Sequence, residues 1–204
     1  MNTKAKMMMA AAALAICAQP ALADKGDLVL RVGVGMVDPK SDNHPVVNVD
    51  SDVKPTISGA YFLTDNWAVD VLGSLPFKHD IKLNAGGAKV GETKHLPPTV
   101  SLQYHFLPAA KTFRPYVGVG VNYTMTFDEA TTGALAASEL SLDNSFGVAA
   151  QLGADFVVND NWAVNVDARW IDIDFDASLD GSSLGTVAVD PFVFSISVAR
   201  KFSF

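Results

Sequence analysis

The feature that most constrains the fold is a strict alternation of apolar with small or polar residues. From Val117 to Phe127 every odd position is apolar, and every even position is glycine, asparagine or threonine. A period of two places these two sets on opposite faces of a β-strand. The run matches the roughly 9–11 residues of a tilted strand that crosses a bilayer better than the roughly 5–6 of a typical strand. It therefore predicts a membrane-crossing strand with one face toward lipid.

The same alternation recurs along the chain, and the number of strands it predicts is even, as in bacterial outer-membrane barrels. Past the N-terminal segment no stretch has 18 consecutive apolar residues, which excludes a helical membrane protein. In lipid the remaining way to satisfy every backbone group is a closed barrel. We therefore predict an all-β fold, an eight-stranded antiparallel transmembrane β-barrel. The predicted strands are 27–37, 53–64, 67–78, 96–107, 115–127, 144–158, 162–175 and 189–204.

The first 23 residues have the pattern of a secretory signal peptide. Lys4 and Lys6 form a positive start, an apolar run covers 7–18, and Ala21-Leu-Ala23 is a cleavage site of the A-x-A type. The apolar run is shorter than the ~20 residues of a spanning helix. We expect residues 1–23 to be cleaved, leaving 24–204 as a single barrel.

Composition excludes several functional classes. The net charge is −7, so no basic stripe exists to bind nucleic acid. The one cysteine, Cys17, follows Ile16 where a lipoprotein signal needs a small residue, and it is lost with the signal peptide. The mature chain then has no disulfide and no thiol nucleophile. We expect no cofactor and no metal site.

Connection lengths predict the orientation of the barrel. Short links at 64–66, 108–114 and 159–161 alternate with long ones rich in polar residues. Outer-membrane barrels have short periplasmic turns and long extracellular loops. We therefore expect both chain termini on the periplasmic side of a Gram-negative outer membrane. The long links are 38–52, 79–95, 128–143 and 176–188.

The C-terminus ends on an aromatic residue, with a second aromatic residue two positions earlier. Phe202 and Phe204 are typical of barrels delivered to the barrel-assembly machinery, although Ala199 stands where that signature usually has glycine. We expect these two residues to be the assembly signal.

Four segments together make the chain similar to a known family. They are His95-Leu-Pro-Pro-Thr99, the run from Phe113-Arg-Pro-Tyr116 to Thr124, Asp172-Ile-Asp174, and Asp190-Pro-Phe-Val-Phe194. Across the mature chain the sequence resembles the OmpW/AlkL family. The resemblance implies an eight-stranded barrel with a narrow, largely hydrophobic channel. It also implies uptake of small hydrophobic molecules that leave sideways into the membrane. As partners of an outer-membrane barrel we expect outer-membrane lipids and lipopolysaccharide.

Alternation also assigns side chains to the barrel interior. Inward charges concentrate near the short turns and termini, where opposite charges should pair because an unpaired buried charge is costly. We expect a polar periplasmic plug, although a packed barrel core without a gating role is the alternative. The predicted plug residues are Arg31, Asp70, His105, Asp155, Asp167, Arg169 and Lys201.

The extracellular half of the interior is predicted to be apolar, which favours apolar ligands over ions. The predicted lining of this path is Leu72, Pro76, Ile171, Ile173 and Val193. The family resemblance implies a constriction of bulky apolar side chains. Leu72 keeps one such position, but Arg169 stands where an aromatic residue is expected. Trp170 is a candidate to supply the missing aromatic side chain.

Prolines suggest a lateral exit. Pro76 on the third predicted strand and Pro97-Pro98 on the fourth lie near the same rim. Proline cannot donate to a strand ladder, so facing prolines would unpair the two strands locally. The alternative is ordinary strand termination at a loop.

The function expected from these observations is passive uptake of small hydrophobic solutes without enzymatic activity. One alternative is a structural, stress-related or adhesive barrel with a filled core. Another is a lipid A-modifying enzyme, for which His79 and His95 with Ser74 imitate a catalytic set without a supporting motif. Histidines of the long loops are expected to be exposed.

Overall fold

A computed structural model describes residues 23–41 and 43–204. The predicted signal peptide lies outside the described residues apart from Ala23. In the described part of the chain, no helix has the length and apolar character needed to cross a membrane.

Residues 23–41 and 43–204 fold into fourteen β-strands and one 3₁₀ turn at Gly133–Leu135. Eight strands are the staves of a barrel, and six shorter ones lie in the long connections. In chain order the strands are β1 (Leu28–Asp38), β2 (Val47–Val49), β3 (Asp52–Phe62), β4 (Trp67–Ser74), β5 (Phe77–Leu83), β6 (Lys89–Leu96), β7 (Thr99–His105), β8 (Phe113–Thr131), β9 (Leu140–Leu142), β10 (Ser145–Asn159), β11 (Trp162–Ile171), β12 (Asp174–Leu179), β13 (Ser182–Ala188) and β14 (Phe192–Phe202).

The barrel closes because the first and last strands pair. The antiparallel ladder between β1 and β14 runs without a break from Leu28 opposite Phe202 to Asp38 opposite Phe192. Around the circumference the order is β1, β3, β4, β7, β8, β10, β11 and β14. The predicted eight-stranded antiparallel barrel is confirmed, since every stave pairs with a neighbour on both sides.

The outer surface of the barrel is an apolar belt. Val119 is 68% exposed and Phe146 is 71% exposed, and similar residues alternate along all eight staves. Aromatic residues gather at the end with the short turns, which we call the short-turn rim: Trp67 lies edge-on to Tyr104 with ring centroids 4.9 Å apart. Such a belt, with aromatic residues at its edge, is the surface that a barrel presents to lipid.

The long connections differ from the expected polar loops. At the opposite end, the long-loop rim, β5 and β6 form a hairpin that pairs with the far half of β8, and β2 adds to β5. β9, β12 and β13 form a second, three-stranded sheet. The barrel wall therefore continues beyond the apolar belt, because these segments keep an inward apolar face while charged residues such as Lys78 and Glu92 pair on the outside at 2.9 Å.

The predicted third strand, 67–78, is divided in two. β4 ends at Ser74 and β5 begins at Phe77, with Leu75 and Pro76 between them. Proline has no backbone N–H for the ladder, which explains the break.

The interior has three layers along the barrel axis. Near the short-turn rim is a small apolar cluster that includes Val29 and Phe62. A layer of buried charges follows, and above it lies a second apolar cluster around Ile171, Ile173 and Phe175.

Strand closure makes Gly33 a sensitive position. A Cβ atom there would overlap the backbone carbonyl oxygen of Ile196 on β14. We expect Gly33→Ala to lower the free energy of unfolding by roughly 1–3 kcal/mol, as overpacking does elsewhere. Gly73→Ala is the matched control, since its Cβ would lie an ordinary 3.9 Å from Ile57. Urea unfolding in lipid vesicles, followed by tryptophan fluorescence, measures both, and equal stability of the two variants would contradict the close approach.

Candidate functional site: a charge network below an apolar cavity

Five of the predicted plug residues form one network of alternating charge, which we call the charge network: Arg31, Asp70, Asp155, Asp167 and Arg169. Arg31 on β1 donates to both carboxylate oxygens of Asp155, at 3.3 and 3.0 Å, and lies 3.5 Å from Asp70. The three side chains are no more than 4% exposed. Each charge thus has a partner across the lumen, which is the condition for burying it.

Arg169 completes the network from the opposite wall. Its Nη2 donates to Asp70 at 2.6 Å, and its Nε donates to Asp167 at 3.0 Å. Asp70 therefore bridges two arginines. Trp170 is half-buried on the outward face of β11, so it does not supply an aromatic side chain to the lumen. At this level of the barrel the lumen is filled by ion pairs.

Neutral side chains satisfy the remaining carboxylate oxygens. The Tyr116 hydroxyl donates to Asp167 at 2.8 Å, and Gln151 donates to the same oxygen at 2.6 Å. Asn165 donates to Asp155 at 2.8 Å. Sequence reasoning did not select these residues, although Tyr116 has the inward parity of the glycines that follow it, and the same alternation would have found it.

His105 and Lys201 lie at the margin of the network. The His105 ring contacts Gln103 at 3.2 Å and packs on Phe62, with centroids 4.8 Å apart. The Lys201 Nζ lies 3.9 Å from Asp27, near the short-turn rim. Arg114, also absent from the predicted set, donates to the Ala23 carbonyl at 3.2 Å. The charged layer therefore extends to the rim as separate contacts.

At the level of the network the interior is almost without free space. Arg31, Leu72, Tyr116 and Arg169 border a void of about 10 Å³. A cavity of this size holds no more than about one water molecule. Leu72, predicted to line an apolar path, therefore lies against the charge network.

The other predicted lumen residues form a packed layer. Ile171, Ile173 and Val193 are at most 5% exposed and belong to one apolar cluster with Phe77 and Phe175. Val193 is opposite Arg169 in the β11–β14 ladder, so this layer lies directly above the ion pairs. The predicted inward orientation agrees with the structure, but the three side chains are the floor beneath the open space rather than its lining.

The open space is a cavity of about 310 Å³ enclosed mainly by the strands of the long connections. Sequence reasoning missed it because these segments were interpreted as polar loops. Their inward positions nevertheless alternate, as in Val47 and Val49, or Ile81 and Leu83. The lining comprises His44, Val46, Val47, Val49, His79, Ile81, Leu83, Val90, Gly91, Thr93, His95, Thr131, Ala134, Leu135, Leu140, Leu142, Phe175, Ala177, Leu179, Leu184, Val187 and Val189.

The cavity reaches the end of the long connections. Val46 and Leu184, which both line it, are 55% and 47% exposed. Among the described residues that line it, none is Asp, Glu, Lys or Arg. The space can therefore accept an apolar solute, whereas an ion would lose its hydration there without compensation.

Two histidines expected to be exposed are buried in the cavity wall. His79 is 1% and His95 is 2% exposed, and their rings are stacked with centroids 4.6 Å apart and planes 6° apart. His79 lies on β5 and His95 lies on β6, and both strands are beyond the apolar belt. Burial, together with the adjacent His79 ring, lowers the pKa of His95 to about 3, and burial also lowers the pKa of His79. The two rings are therefore neutral at neutral pH.

The catalytic set that the sequence imitates is not assembled. In the described part of the chain the Ser74 hydroxyl has no hydrogen-bond partner, so it is not paired with either ring. No group of three or more His, Cys, Asp or Glu side chains suited to a metal ion occurs within 23–41 and 43–204.

The prolines lie at an interruption in the barrel wall. Pairing between β4 and β7 ends at Leu72 opposite Thr99, and pairing between β5 and β6 begins at Phe77 opposite His95. We call the two segments between these points, 73–76 and 96–98, which are not paired with each other, the ladder gap. It contains Pro76, Pro97 and Pro98. The Leu75 N–H turns instead to the Pro55 carbonyl of β3, at 3.2 Å.

The charge network makes Asp70 sensitive to substitution. Asp70→Asn leaves Arg31 and Arg169 short of one negative charge, and breaking a buried pair costs roughly 3–5 kcal/mol of unfolding free energy. Asp128→Asn is the control, because Asp128 is 64% exposed beside Lys94 and such a pair contributes about 1 kcal/mol or less. Urea unfolding in vesicles compares the two, and similar small losses would contradict a stabilising network.

Comparison with known proteins agrees with the geometry. The family model described as the OmpW family matches residues 24–202. Outer membrane protein W of Vibrio cholerae is 38% identical over 195 residues, covering 87% of this chain and 89% of that protein. The dibenzothiophene metabolism operon protein PahQ of Pseudomonas aeruginosa is 30% identical, covering 72% and 70%.

A solved structure shares the architecture. The outer membrane protein OprG of Pseudomonas aeruginosa superimposes with a TM-score of 0.79 at 31% identity, covering 89% of this chain and 98% of that one. The closed barrel, its apolar belt and the family match lead to one conclusion: this chain is an outer-membrane β-barrel protein and belongs to the OmpW family.

Proposed function

We propose that the protein is a passive channel for small hydrophobic molecules, which enter from the long-loop rim and leave sideways into the membrane. The observation that carries the proposal is the apolar cavity, which ends on a filled lumen and reaches His95, the residue that precedes the ladder gap. In this proposal the long-loop rim is extracellular. The short-turn rim and both chain termini are periplasmic.

The cavity wall supports the choice of solute. Its lining is predominantly aliphatic, and it holds none of the charged side chains that stabilise an ion. A volume of about 310 Å³ falls at the lower end of the roughly 300–1,000 Å³ of small-molecule pockets. The relative named for dibenzothiophene metabolism is connected by that name with a small aromatic compound, which is the same class of solute.

The filled lower lumen supports exit through the wall. Below the cavity a solute meets the cluster of Ile171, Ile173 and Val193, and then the charge network. Passing an apolar molecule through that layer would require separating buried ion pairs, which is costly. The charge network then acts as a polar plug on the periplasmic side.

The ladder gap supplies the alternative route. Phe77 begins the paired segment next to the gap, and its ring centroid lies 5.8 Å from that of His95 in the cavity wall. Movement of Phe77 would connect the cavity with the gap, where no row of backbone hydrogen bonds between the two staves has to be broken. Prolines keep that row from forming.

The two ends of the chain direct its export and assembly in the outer membrane. Residues 1–23 are a cleaved signal peptide. Phe202 and the 95% exposed Phe204 are recognised by the barrel-assembly machinery. Lipids surround the apolar belt, and lipopolysaccharide surrounds the outer leaflet. The protein carries out no chemical reaction on its solute.

A structural or adhesive barrel with a filled core is the competing function. It would need filling along the whole lumen, whereas only the part from the short-turn rim to the second apolar cluster is filled. The cavity therefore favours uptake.

A reversible disulfide across the ladder gap tests the lateral route. Continuing the β4–β7 register places Ser74 opposite Pro97. We expect Ser74→Cys with Pro97→Cys to reduce uptake of n-octane several-fold when oxidised, because the two staves can no longer part, and a reductant to restore it. Whole cells that express each variant in place of the wild-type protein provide the measurement.

The matched control uses the same cysteine on the other side of β4. Thr56 is opposite Ser74 in the β3–β4 ladder, so Thr56→Cys with Ser74→Cys joins staves that are already paired. This disulfide is expected to leave uptake unchanged. Undiminished uptake with the cross-gap disulfide formed in a folded, exported barrel would refute lateral exit.

A further inference from the structure

The polar groups of the cavity wall are almost all engaged. The Thr93 hydroxyl donates to the Lys94 carbonyl at 3.4 Å, and the Thr131 hydroxyl donates to the Ser138 carbonyl at 2.6 Å. His44 uses both ring nitrogens: Nδ1 accepts from the Val46 N–H at 3.2 Å, and Nε2 lies 3.3 Å from the Leu184 carbonyl. These residues present little free hydrogen-bonding capacity to a solute.

The stacked pair of His79 and His95 is different. Among the residues that the structure describes, the Nε2 atom of neither ring has a hydrogen-bond partner, although both atoms are buried. A buried polar atom without a partner is destabilising by roughly 1–3 kcal/mol, so most such atoms in proteins are satisfied. Both rings line the cavity, and two unpaired atoms in its wall point to a polar group of the ligand.

The hydrogen bonding of His79 defines what that group must offer. The His79 Nδ1 contacts the backbone carbonyl of Asp50. A carbonyl oxygen only accepts, so Nδ1 carries the proton and Nε2 of the neutral ring is an acceptor. The ligand must therefore donate to His79. A hydroxyl group can do so, and it can at the same time accept from His95 Nε2 when that atom carries its ring proton.

We propose that the His79–His95 pair binds the hydroxyl group of an alcohol whose apolar body fills the cavity. This inference rests on the proposed function and narrows its solute class from hydrocarbons in general to molecules with a single hydroxyl group. A carboxylate is disfavoured because it cannot donate to His79, and because no lining residue in the described part of the chain is a lysine or arginine that could neutralise it.

Binding of 1-octanol, n-octane and octanoate to the barrel in lipid nanodiscs tests the proposal, with empty nanodiscs as the partition control. Histidines labelled with ¹³C report whether the Cε1 signals of the pair shift on titration. We expect 1-octanol to bind more tightly than the other two probes and to shift the signals of His79 and His95 but not of His44. Equal binding of 1-octanol and n-octane, with no shift of the pair, would overturn the proposal.

Two substitutions remove one Nε2 atom each. His79→Asn keeps a donor at the position of Nδ1, so the bond to Asp50 survives, and His95→Phe keeps a flat ring in the stack. Each is expected to weaken 1-octanol binding about two- to tenfold, because one hydrogen bond to the hydroxyl group is lost. Binding of n-octane is expected to stay unchanged. Thr186→Val is the control, because this threonine does not line the cavity and its hydroxyl donates to Asp176 at 2.8 Å.

The outcomes separate this inference from the proposed function. If both variants lose affinity for n-octane and for 1-octanol to the same extent, the pair shapes the cavity but does not bind a hydroxyl group. Only the inference then fails. If 1-octanol binds at the pair while the cross-gap disulfide leaves uptake unchanged, only the lateral route fails. If neither probe binds, both fail.

Discussion

Pairing of backbone groups is the constraint on which the rest of the structure depends. In a bilayer an unpaired N–H or C=O group is destabilising by several kcal/mol, so a sheet must close on itself. The unbroken ladder between β1 and β14 achieves this closure. Against that background the ladder gap at 73–76 and 96–98 is unusual, because two neighbouring staves are unpaired at the point where the wall leaves the apolar belt. Because the prolines in these segments have no backbone N–H to donate, the interruption is built into the sequence.

Closure also determines what the interior contains. Eight strands leave a lumen only wide enough for side chains, so its levels are filled either by packed apolar side chains or by paired polar ones. Above the small apolar cluster of the short-turn rim the solution is the charge network, in which Asp70 is shared between Arg31 and Arg169. Higher up the solution is a packed apolar layer. The open volume of about 310 Å³ lies where the wall continues into the long connections, whose added strands enclose the cavity without filling it.

The barrel was predictable because its pattern is local. Alternation of period two along Val117 to Phe127 needs no knowledge of the neighbours, and the same pattern predicted the inward charges that the structure brings together. Arg31, Asp70, Asp155, Asp167 and Arg169 meet as one network for this reason. Tyr116 follows the same alternation, so its inward orientation could have been predicted from the sequence. The cavity was not predicted, because the segments that enclose it are short strands interrupted by glycine and charged residues, and their hairpins also pair with strands that are distant in sequence.

The sequence by itself determined the barrel, its number of strands and the face on which each side chain lies, since strand geometry fixes orientation residue by residue. Only the tertiary structure decided which level of the lumen each inward residue occupies. Leu72 lies against ion pairs, and Ile171, Ile173 and Val193 are a floor, because height in a barrel depends on the register between neighbouring strands. The stacking of His79 on His95 is of the same kind: two residues in different strands of a long connection meet only when the hairpin pairs and folds over the lumen.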